Sequence, residues 1–220
     1  YNACQHNETL GVQRNGAMCD YVVVPWQKVI PADGMSTRDC ALIEPMSVGF
    51  HAVSNACVVD NDIVMVIGCG MVGLGAVVRA ALRGATVVAV DLDDEKLALA
   101  KEVGAKYVIN SKTTNVHDEV MRISQGFGAD VVIEAVGNPM TYNMAIDEVS
   151  FTGRVVYIGY AKSEVSFQTK FFVQKELTIR GSRNALPEDF RAVINYLNQN
   201  NFPYSKFISK SIVVVTFYIV

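Results

Sequence analysis

Residues 68–73, with the sequence GCGMVG, are the part of the chain whose residue types and spacing most clearly serve chemistry. Gly68 permits a tight turn that a side chain would obstruct. Gly70 lets a pyrophosphate approach the main chain, and Gly73 lets a helix pack closely against the preceding strand. The spacing therefore predicts a loop that holds phosphate groups.

A helix start and a carboxylate complete this pattern. Met71 and Val72 stand where the helix begins, and a helix start offers unpaired N–H groups and partial positive charge to phosphates. Asp91 lies about 20 residues further on, where a carboxylate can accept hydrogen bonds from a ribose diol. Because this carboxylate would repel a ribose 2′-phosphate, the pattern favours NAD over NADP as the cofactor. The alternative is a tight turn in an α/β protein that binds no nucleotide.

Buried strands and helices alternate around this loop. The apolar run 63–67 predicts a strand buried on both faces, 71–84 a helix ending at glycine, and 86–90 a second strand. Further strands are predicted at 107–110, 129–135, 153–158 and 177–180, and further helices at 93–103, 115–125, 139–149 and 187–198. This alternation predicts an α/β fold, a doubly wound six-stranded parallel sheet of the Rossmann type with halves at 62–110 and 129–181.

The ligand crevice of such a sheet lies at the carboxyl ends of the strands where the strand order reverses, here the first and the fourth. Val136-Gly137 follows the fourth predicted strand, and Ile158-Gly159-Tyr160 ends the fifth. We expect a nicotinamide ring to lie against these two stretches, although ordinary glycine turns explain them about as well. Lys96 either reaches the adenosine ribose or is a solvated helix lysine.

Composition excludes several classes of function. The chain has 19 basic and 22 acidic residues, a net charge of −3, and no basic run, so nucleic-acid binding has no electrostatic support. No apolar stretch approaches the length of a membrane span. The five cysteines are scattered and odd in number, which favours a reducing, cytoplasmic location. Because the chain begins at Tyr1, we expect the native N-terminus to lie upstream.

The two ends of the chain do not fit the alternating pattern. Residues 17–24 and 29–31 read as short strands with no helix between them, and 202–220 reads as extended. We therefore predict two units, a partial all-β unit at 1–44 and 205–220, and the nucleotide-binding unit at 45–204. Residues 37–56 read as helix interrupted at Glu44-Pro45, which makes Glu44 a capping carboxylate. His51 reads as a packing residue on an apolar helix.

Several stretches together resemble a known family. They are 10–12 (LGV), 16–25 (GAMCDYVVVP), 41–52 (ALIEPMSVGFHA), the loop 68–75, Asp91 with Lys96, 132–138 (VIEAVGN) and 181–183 (GSR). The chain resembles the zinc-dependent medium-chain alcohol dehydrogenases, most of all the sorbitol, threonine and sugar-acid dehydrogenase branch. The likeness covers nearly the whole chain.

The resemblance implies roles for particular residues. The partial all-β unit looks like the remnant of a GroES-like catalytic domain, with Cys4 as a structural-zinc ligand. Glu44 looks like the carboxylate at or near the catalytic zinc, and Arg183 falls where polyol dehydrogenases place a basic residue near the substrate. Asp91 and Lys96 look like the ribose-binding pair. The family's catalytic cysteine and His-Glu pair would precede Tyr1. The family also usually places a helix and loop between the equivalents of Ser211 and Val214.

The function implied for the intact enzyme is hydride transfer from a secondary alcohol to NAD with the help of zinc. The alcohol would be a polyol, a sugar acid or an amino alcohol. The chain itself would chiefly bind the cofactor and turn over poorly, and we expect a homodimer or homotetramer. Alternatives are a zinc-independent quinone or enone reductase using NADP, a non-catalytic nucleotide-binding module, and a methyltransferase. A methyltransferase would bind S-adenosylmethionine without a second βαβαβ half.

Overall fold

A computed structural model describes residues 2–199 and 202–211. Its centre is a six-stranded parallel sheet in the order β3-β2-β1-β4-β5-β6. The strands are β1 (Ile63–Ile67), β2 (Thr86–Asp91), β3 (Tyr107–Asn110), β4 (Ala129–Glu134), β5 (Val149–Tyr157) and β6 (Thr178–Gly181). The central strands are nearly continuous apolar runs because helices cover both of their faces. The predicted doubly wound Rossmann fold is therefore confirmed.

Helices form a layer on each side of the sheet. One layer packs α2, α3, α4, α8 and α9 against β1, β2 and β4, and the other packs α5, α6 and α7 against the opposite face. The helices are α1 (Thr37–Cys40), α2 (Ile43–Asn55), α3 (Met71–Leu82), α4 (Asp94–Glu102), α5 (Val116–Ile123), α6 (Pro139–Glu148), α7 (Lys170–Gln174), α8 (Pro187–Gln199) and α9 (Tyr204–Phe207). A short 3₁₀ helix spans Trp26–Lys28. None of the described helices is long and apolar enough to cross a membrane.

Glycines bring α2 directly against α3. A Cβ on Gly75 would lie 2.5 Å from the carbonyl oxygen of Met46, and a Cβ on Gly49 would collide with the backbone at Val72 and Ala76. The two helix backbones therefore touch with no side chain between them. This contact fixes the position of α3, whose first residues follow the glycine loop.

The predicted strand at 17–24 is wrong, because the structure gives these residues no strand conformation. A strand needs a hydrogen-bonded neighbour, and the only pairing described before β1 is an isolated bridge between Leu10 and Arg14. The apolar side chains of Tyr21, Val23 and Trp26 are accordingly exposed. Whether residues 1–44 and 205–220 form a separate GroES-like domain stays a prediction.

Three smaller predictions also need correction. The helix break lies at Ala41-Leu42 rather than at Glu44-Pro45, since Pro45 fits in the first turn of α2, where no intrahelical N–H is needed. Residues 204–207 form α9 instead of an extended segment. The sequence prediction also missed α7, a helix of 5 residues that is too short to show a period. The predicted extended pairing of residues 212–220 lies outside the described residues.

Candidate functional site

The glycine loop joins β1 to α3 at the carboxyl edge of the sheet. Gly68 has φ +93°, a conformation that favours glycine, and its N–H donates to the Val90 carbonyl at 2.8 Å. A Cβ on Gly73 would collide with the carbonyl oxygen of Gly68, so the helix and the turn are in direct contact. A Cβ on Gly70 would meet no atom within 4 Å. The space above Gly70 is therefore open to a ligand.

The first turn of α3 leaves its N–H groups free for an anion. Gly70 is the N-cap and has no side chain to cap the helix, and the first turn carries no acidic residue. The first intrahelical hydrogen bond runs from the Leu74 N–H to the Gly70 carbonyl at 2.8 Å. By helix geometry the N–H groups of Met71, Val72 and Gly73 then point out of the helix end. This is the arrangement that binds phosphate groups.

Asp91 ties the end of β2 to the glycine loop. Its Oδ2 accepts from the Cys69 N–H at 2.7 Å, and its Oδ1 accepts from the N–H groups of Leu92 at 2.7 Å and Asp93 at 3.1 Å. These bonds hold the carboxylate at the rim of the crevice, beside the uncapped start of α3. A carboxylate oxygen has two lone pairs, so the group can still accept from a ribose hydroxyl.

Cys69 contributes packing rather than reactivity. Its thiol is buried inside the loop, and burial, with a further contribution from the charge of Asp91, raises its pKa to about 12, while Lys96 acts in the opposite direction. A thiol with this pKa stays neutral and is a poor nucleophile at neutral pH. The side chain of Lys96, in the first turn of α4, is exposed.

The ends of β4 and β5 form the other half of the crevice. Gly137 has φ +79°, and a Cβ there would lie 2.6 Å from the carbonyl oxygen of Tyr160. A Cβ on Gly159 would collide with the backbone of Gly137. The N–H of Ile158 donates to the Glu134 carbonyl at 2.8 Å. The structure thus brings together the two stretches predicted to contact the nicotinamide.

The two halves meet at β1. Gly68 is next to Val136, since a Cβ on Gly68 would lie 2.6 Å from Cγ2 of Val136. Val136 on one side of β1 and Leu92 on the other are 50% and 53% exposed, which is unusual for apolar side chains at the edge of a buried sheet. Exposed apolar side chains of this kind can pack against the flat face of an aromatic ring. The sequence prediction did not include Leu92, whose exposure is seen only in the structure.

The two residues predicted to be catalytic lie at or next to a cavity beside α2. Glu44 is exposed in the first turn of α2 and lines a cavity of about 670 Å³ together with Asn2, Asn184 and Arg191. Arg183 is also exposed, and its carbonyl accepts from the Asn2 side chain at 2.9 Å. The cavity lies between the N-terminal segment, α2 and α8.

His51 is a hydrogen-bonded core residue, as its apolar surroundings predict. Its Nε2 lies 2.9 Å from the side-chain amide nitrogen of Asn2, and its Nδ1 lies 2.8 Å from Oδ2 of buried Asp189. Because an amide nitrogen only donates, Nε2 accepts and the proton is on Nδ1. Asn184 donates to the Asn2 carbonyl at 2.8 Å, so these contacts fasten the N-terminal segment to α2 and α8.

Comparison with known proteins agrees with this architecture. The family description "Zinc-binding dehydrogenase" matches residues 71–199. The chain belongs to the zinc-binding dehydrogenase family. The resemblance to the zinc-type medium-chain alcohol dehydrogenases is thereby confirmed.

Three similar proteins show how much of a relative's length this chain covers. A sorbitol dehydrogenase of Halalkalibacterium halodurans is 32% identical over 204 residues, covering 90% of this chain and 59% of the relative. An L-galactonate-5-dehydrogenase of Escherichia coli K12 is 35% identical over 195 residues, covering 87% and 56%. A structure described as a short chain alcohol dehydrogenase of E. coli CFT073, complexed with NADH, matches with a TM-score of 0.82 at 28% identity, covering 93% of this chain and 61% of that one. The chain therefore spans less than two thirds of each relative.

The described residues of this chain do not form a zinc site. A zinc ion in a protein takes four ligands, or three with a water. The part of the chain that the structure describes contains no group of three or more His, Cys, Asp and Glu side chains placed to hold a metal. Glu44 and Cys4 are both exposed and belong to no such group. They remain single candidate ligands.

Proposed function

We propose that this chain binds NAD across the carboxyl edge of the sheet. The observation that carries the proposal is the Asp91 carboxylate, held by the Cys69 N–H beside the uncapped start of α3. The carboxylate suits a ribose diol, and the helix start suits a pyrophosphate. In the same proposal Lys96 lies near the adenosine ribose, while Val136, Gly137, Ile158, Gly159 and Tyr160 line the nicotinamide half.

We further propose that the whole protein oxidises a secondary alcohol of the polyol or sugar-acid type. This rests on the relatives, which are described as dehydrogenases of sorbitol and L-galactonate. NAD would supply the hydride acceptor, and this chain would supply the crevice that orients it and excludes water. Glu44 and Arg183 line or adjoin the cavity that we assign to the substrate side. The use of zinc by the whole protein rests on the family description alone.

The choice of NAD over NADP rests on charge. The Asp91 carboxylate would face a ribose 2′-phosphate. Two neighbouring negative groups repel each other strongly when they are partly buried. The described helix α4, which follows Asp91, adds the acids Asp94 and Glu95 in its first turn. A chain that uses NADP would place a cation there instead.

Calorimetric titration of the chain with NAD, NADP and S-adenosylmethionine tests this proposal. We expect NAD to bind at least about tenfold more tightly than NADP, and S-adenosylmethionine not to bind. Asp91→Ala should weaken NAD binding by about tenfold or more, since it removes the ribose acceptor. Asp93→Asn is the matched control, because asparagine caps α4 as well as aspartate does and the charge change is the same. Tighter binding of NADP would support the quinone or enone reductase alternative instead.

A non-catalytic nucleotide-binding module is the second candidate. It would have the same crevice, and the exposed positions of Glu44 and Cys4 in the described residues are compatible with it. Assay of the whole protein with NAD and sorbitol or a sugar acid separates the two. NADH formation that depends on added zinc supports the dehydrogenase, and NAD binding without turnover supports the module.

We also propose that the protein is a cytoplasmic homo-oligomer. The five cysteines are all free thiols, which suits a reducing compartment. Strand β6 is the outermost strand of the six-stranded sheet, and all four of its residues are exposed. An open strand edge of this kind is a surface on which a second copy can pair.

A further inference from the structure

Glu134 is a carboxylate buried completely at the end of β4, with 0% of its surface exposed. Its Oε1 accepts three hydrogen bonds, from the N–H groups of Val136 at 2.9 Å and Gly137 at 2.8 Å and from the Thr141 hydroxyl at 2.7 Å. The side chain therefore closes the turn that leads from β4 into α6.

The second oxygen of the same group points toward β5. Oε2 is buried and has no hydrogen-bond partner among the described residues. A Cβ on Gly159 would lie 2.8 Å from it, and the same Cβ would collide with Gly137. The carboxylate consequently lies in the narrow space between the ends of β4 and β5, with Oε1 bonded to the turn after β4 and Oε2 packed beside Gly159.

These strand ends lie on the nicotinamide side of the proposed site. Asp91 at the end of β2 marks the adenosine half, and the strand order places β1, β4 and β5 successively further away. Adjacent strands are separated by about 4.8 Å, so the end of β5 is about 14 Å from that of β2. This distance is comparable to the extent of a dinucleotide that lies across both halves of the fold.

We propose that Glu134 is a positioning residue for the nicotinamide half of the cofactor. The inference rests on the proposed NAD binding. Glu134 fixes the distance between the backbone of Val136 and Gly137 after β4 and that of Gly159 after β5. It does not itself touch the cofactor. A buried carboxylate is costly to desolvate, and its three hydrogen bonds offset part of that cost. An apolar side chain in its place would leave two backbone N–H groups without an acceptor at the rim of the crevice.

Two ligands separate this role from a general contribution to folding. NADH occupies both halves of the crevice, whereas ADP-ribose lacks the nicotinamide. We expect Glu134→Ala to weaken NADH binding by about tenfold or more and ADP-ribose binding by less than about threefold. The fluorescence gain of the bound nicotinamide should fall in parallel.

The unequal surroundings of the two oxygens also predict rescue by glutamine. In Glu134→Gln, the carbonyl oxygen can take the place of Oε1 and keep its three donors. The NH₂ group then takes the place of Oε2, where no protein donor opposes it. We expect this variant to bind NADH within about threefold of the unchanged chain. Glu148→Gln is the matched control, because it replaces another buried carboxyl group, at the far end of α6. It should change the binding of neither NADH nor ADP-ribose.

The outcomes are distinct. The positioning role would be overturned if Glu134→Ala lost affinity for NADH and ADP-ribose equally, or if it bound NADH as tightly as the unchanged chain. It would also be overturned if Glu134→Gln did not restore NADH binding. If the unchanged chain binds neither ligand, the proposed NAD function fails and this inference fails with it. Should Glu134→Ala not fold, Thr141→Val removes one of the three donors. Thr141→Val should weaken NADH binding by about threefold and leave ADP-ribose binding unchanged. An equal loss of affinity for both ligands in this variant would also overturn the inference.

Discussion

Two glycines of the same loop have opposite structural roles. The space around Gly70 is empty and its φ of −69° is accessible to alanine, whereas Gly73 contacts the backbone of Gly68. We therefore expect Gly70→Ala to reduce NAD affinity by about tenfold or more, because its methyl group takes the place of the pyrophosphate. Its stability should fall by no more than about 1 kcal/mol, the usual cost of alanine at an N-cap. Calorimetry with NAD and thermal unfolding measure the two effects.

Gly73→Ala is the matched comparison for this prediction. Its Cβ would overlap the Gly68 carbonyl, so it should lower the free energy of unfolding by about 1–3 kcal/mol. If Gly70→Ala bound NAD as tightly as the unchanged chain, the pyrophosphate would not lie above Gly70, and our placement of the cofactor would be wrong.

A buried carboxylate outside the crevice should make stability depend on pH. Burial is the main cause that raises the pKa of Glu148, and His117, 3.1 Å away, and Lys175 oppose it. A raised native pKa means that the folded state favours the protonated acid. This contribution is fully present below the unfolded pKa of about 4.3 and is lost as the pH rises through the native pKa. Glu148→Gln should therefore gain stability relative to the unchanged chain between pH 4 and pH 7, by about 1 kcal/mol or less.

Urea unfolding of both forms at pH 4.5 and pH 7 measures this difference. Because His117 is paired with Glu148, the comparison should be repeated with His117→Gln in both forms. A difference in unfolding free energy that does not change with pH would contradict the prediction.

The sequence identified acids by their position but not by their surroundings. Asp91 could be predicted because a carboxylate after a second strand is part of a known spacing. Glu134 stands in the same relation to β4, yet its burial depends on Gly137 and Gly159, which only the folded sheet brings together. Leu92 was missed because an apolar residue has no chemical signature until its exposure is known.

At the scale of elements, the caps of the helices show where an anion can bind. Four described helices follow β1, β2, β3 and β4, and three of them are capped by a side chain, namely Asp93, Asn115 and Asn138. The exception is α3, which begins at Gly70 with no cap. Among these four helix starts, that of α3 is therefore where we expect the phosphates of the proposed cofactor.

The contact between α2 and α3 allows a second test at this scale. Gly75→Ala places a Cβ 2.5 Å from the Met46 carbonyl, and backbone cannot move aside as a flexible side chain can. We expect a loss of about 1–3 kcal/mol in the free energy of unfolding, or roughly 2–4 °C in melting temperature for each kcal/mol. Thermal unfolding followed by circular dichroism measures this loss.

Gly181→Ala is the control for the helix contact. A Cβ on Gly181 meets no atom within 4 Å, and the residue is exposed. This variant should unfold close to the temperature of the unchanged chain. An equally stable Gly75→Ala would show that the helices can separate, and α3 would then not be fixed by α2.

The central strands β1, β2 and β4 were predictable because they are mostly apolar runs bounded by turn residues. β1 and β3 begin and end where the periodicity indicates. Residues 17–24 have similar β-branched composition but no described partner strand, so composition alone gave the wrong result there. The break before α2 was misplaced by a few residues, because Pro45 is compatible with the first turn of a helix as well as with a break.

At the scale of the whole molecule, topology could be predicted better than assembly. Right-handed crossovers and the alternating pattern allow few arrangements, and the observed strand order is one of them. Association between copies depends on surfaces that no motif marks. The exposure of β6 is visible only when the sheet is complete.

The direction of the N–H groups in β6 provides a test of the proposed assembly. The N–H of Ser182 donates to the Tyr157 carbonyl at 2.8 Å, so by strand alternation the N–H of Arg180 also points to β5 and that of Ile179 points outward. Among the described residues no strand pairs with this outer side. A second copy related by a two-fold axis could pair there through identical strands. Ile179→Pro would remove one outward donor and leave the bonds to β5 intact.

Light scattering coupled to size exclusion should show the unchanged chain as a dimer and Ile179→Pro as mostly monomer. Proline is tolerated on an edge strand, so the melting temperature should change only as far as dissociation requires. Ile179→Ala keeps the N–H group while removing most of the side chain, and it should remain a dimer. If alanine dissociates the dimer as fully as proline does, side-chain packing rather than strand pairing holds the copies together. A monomeric unchanged chain would refute association through β6, because the strand edge is intact in that form.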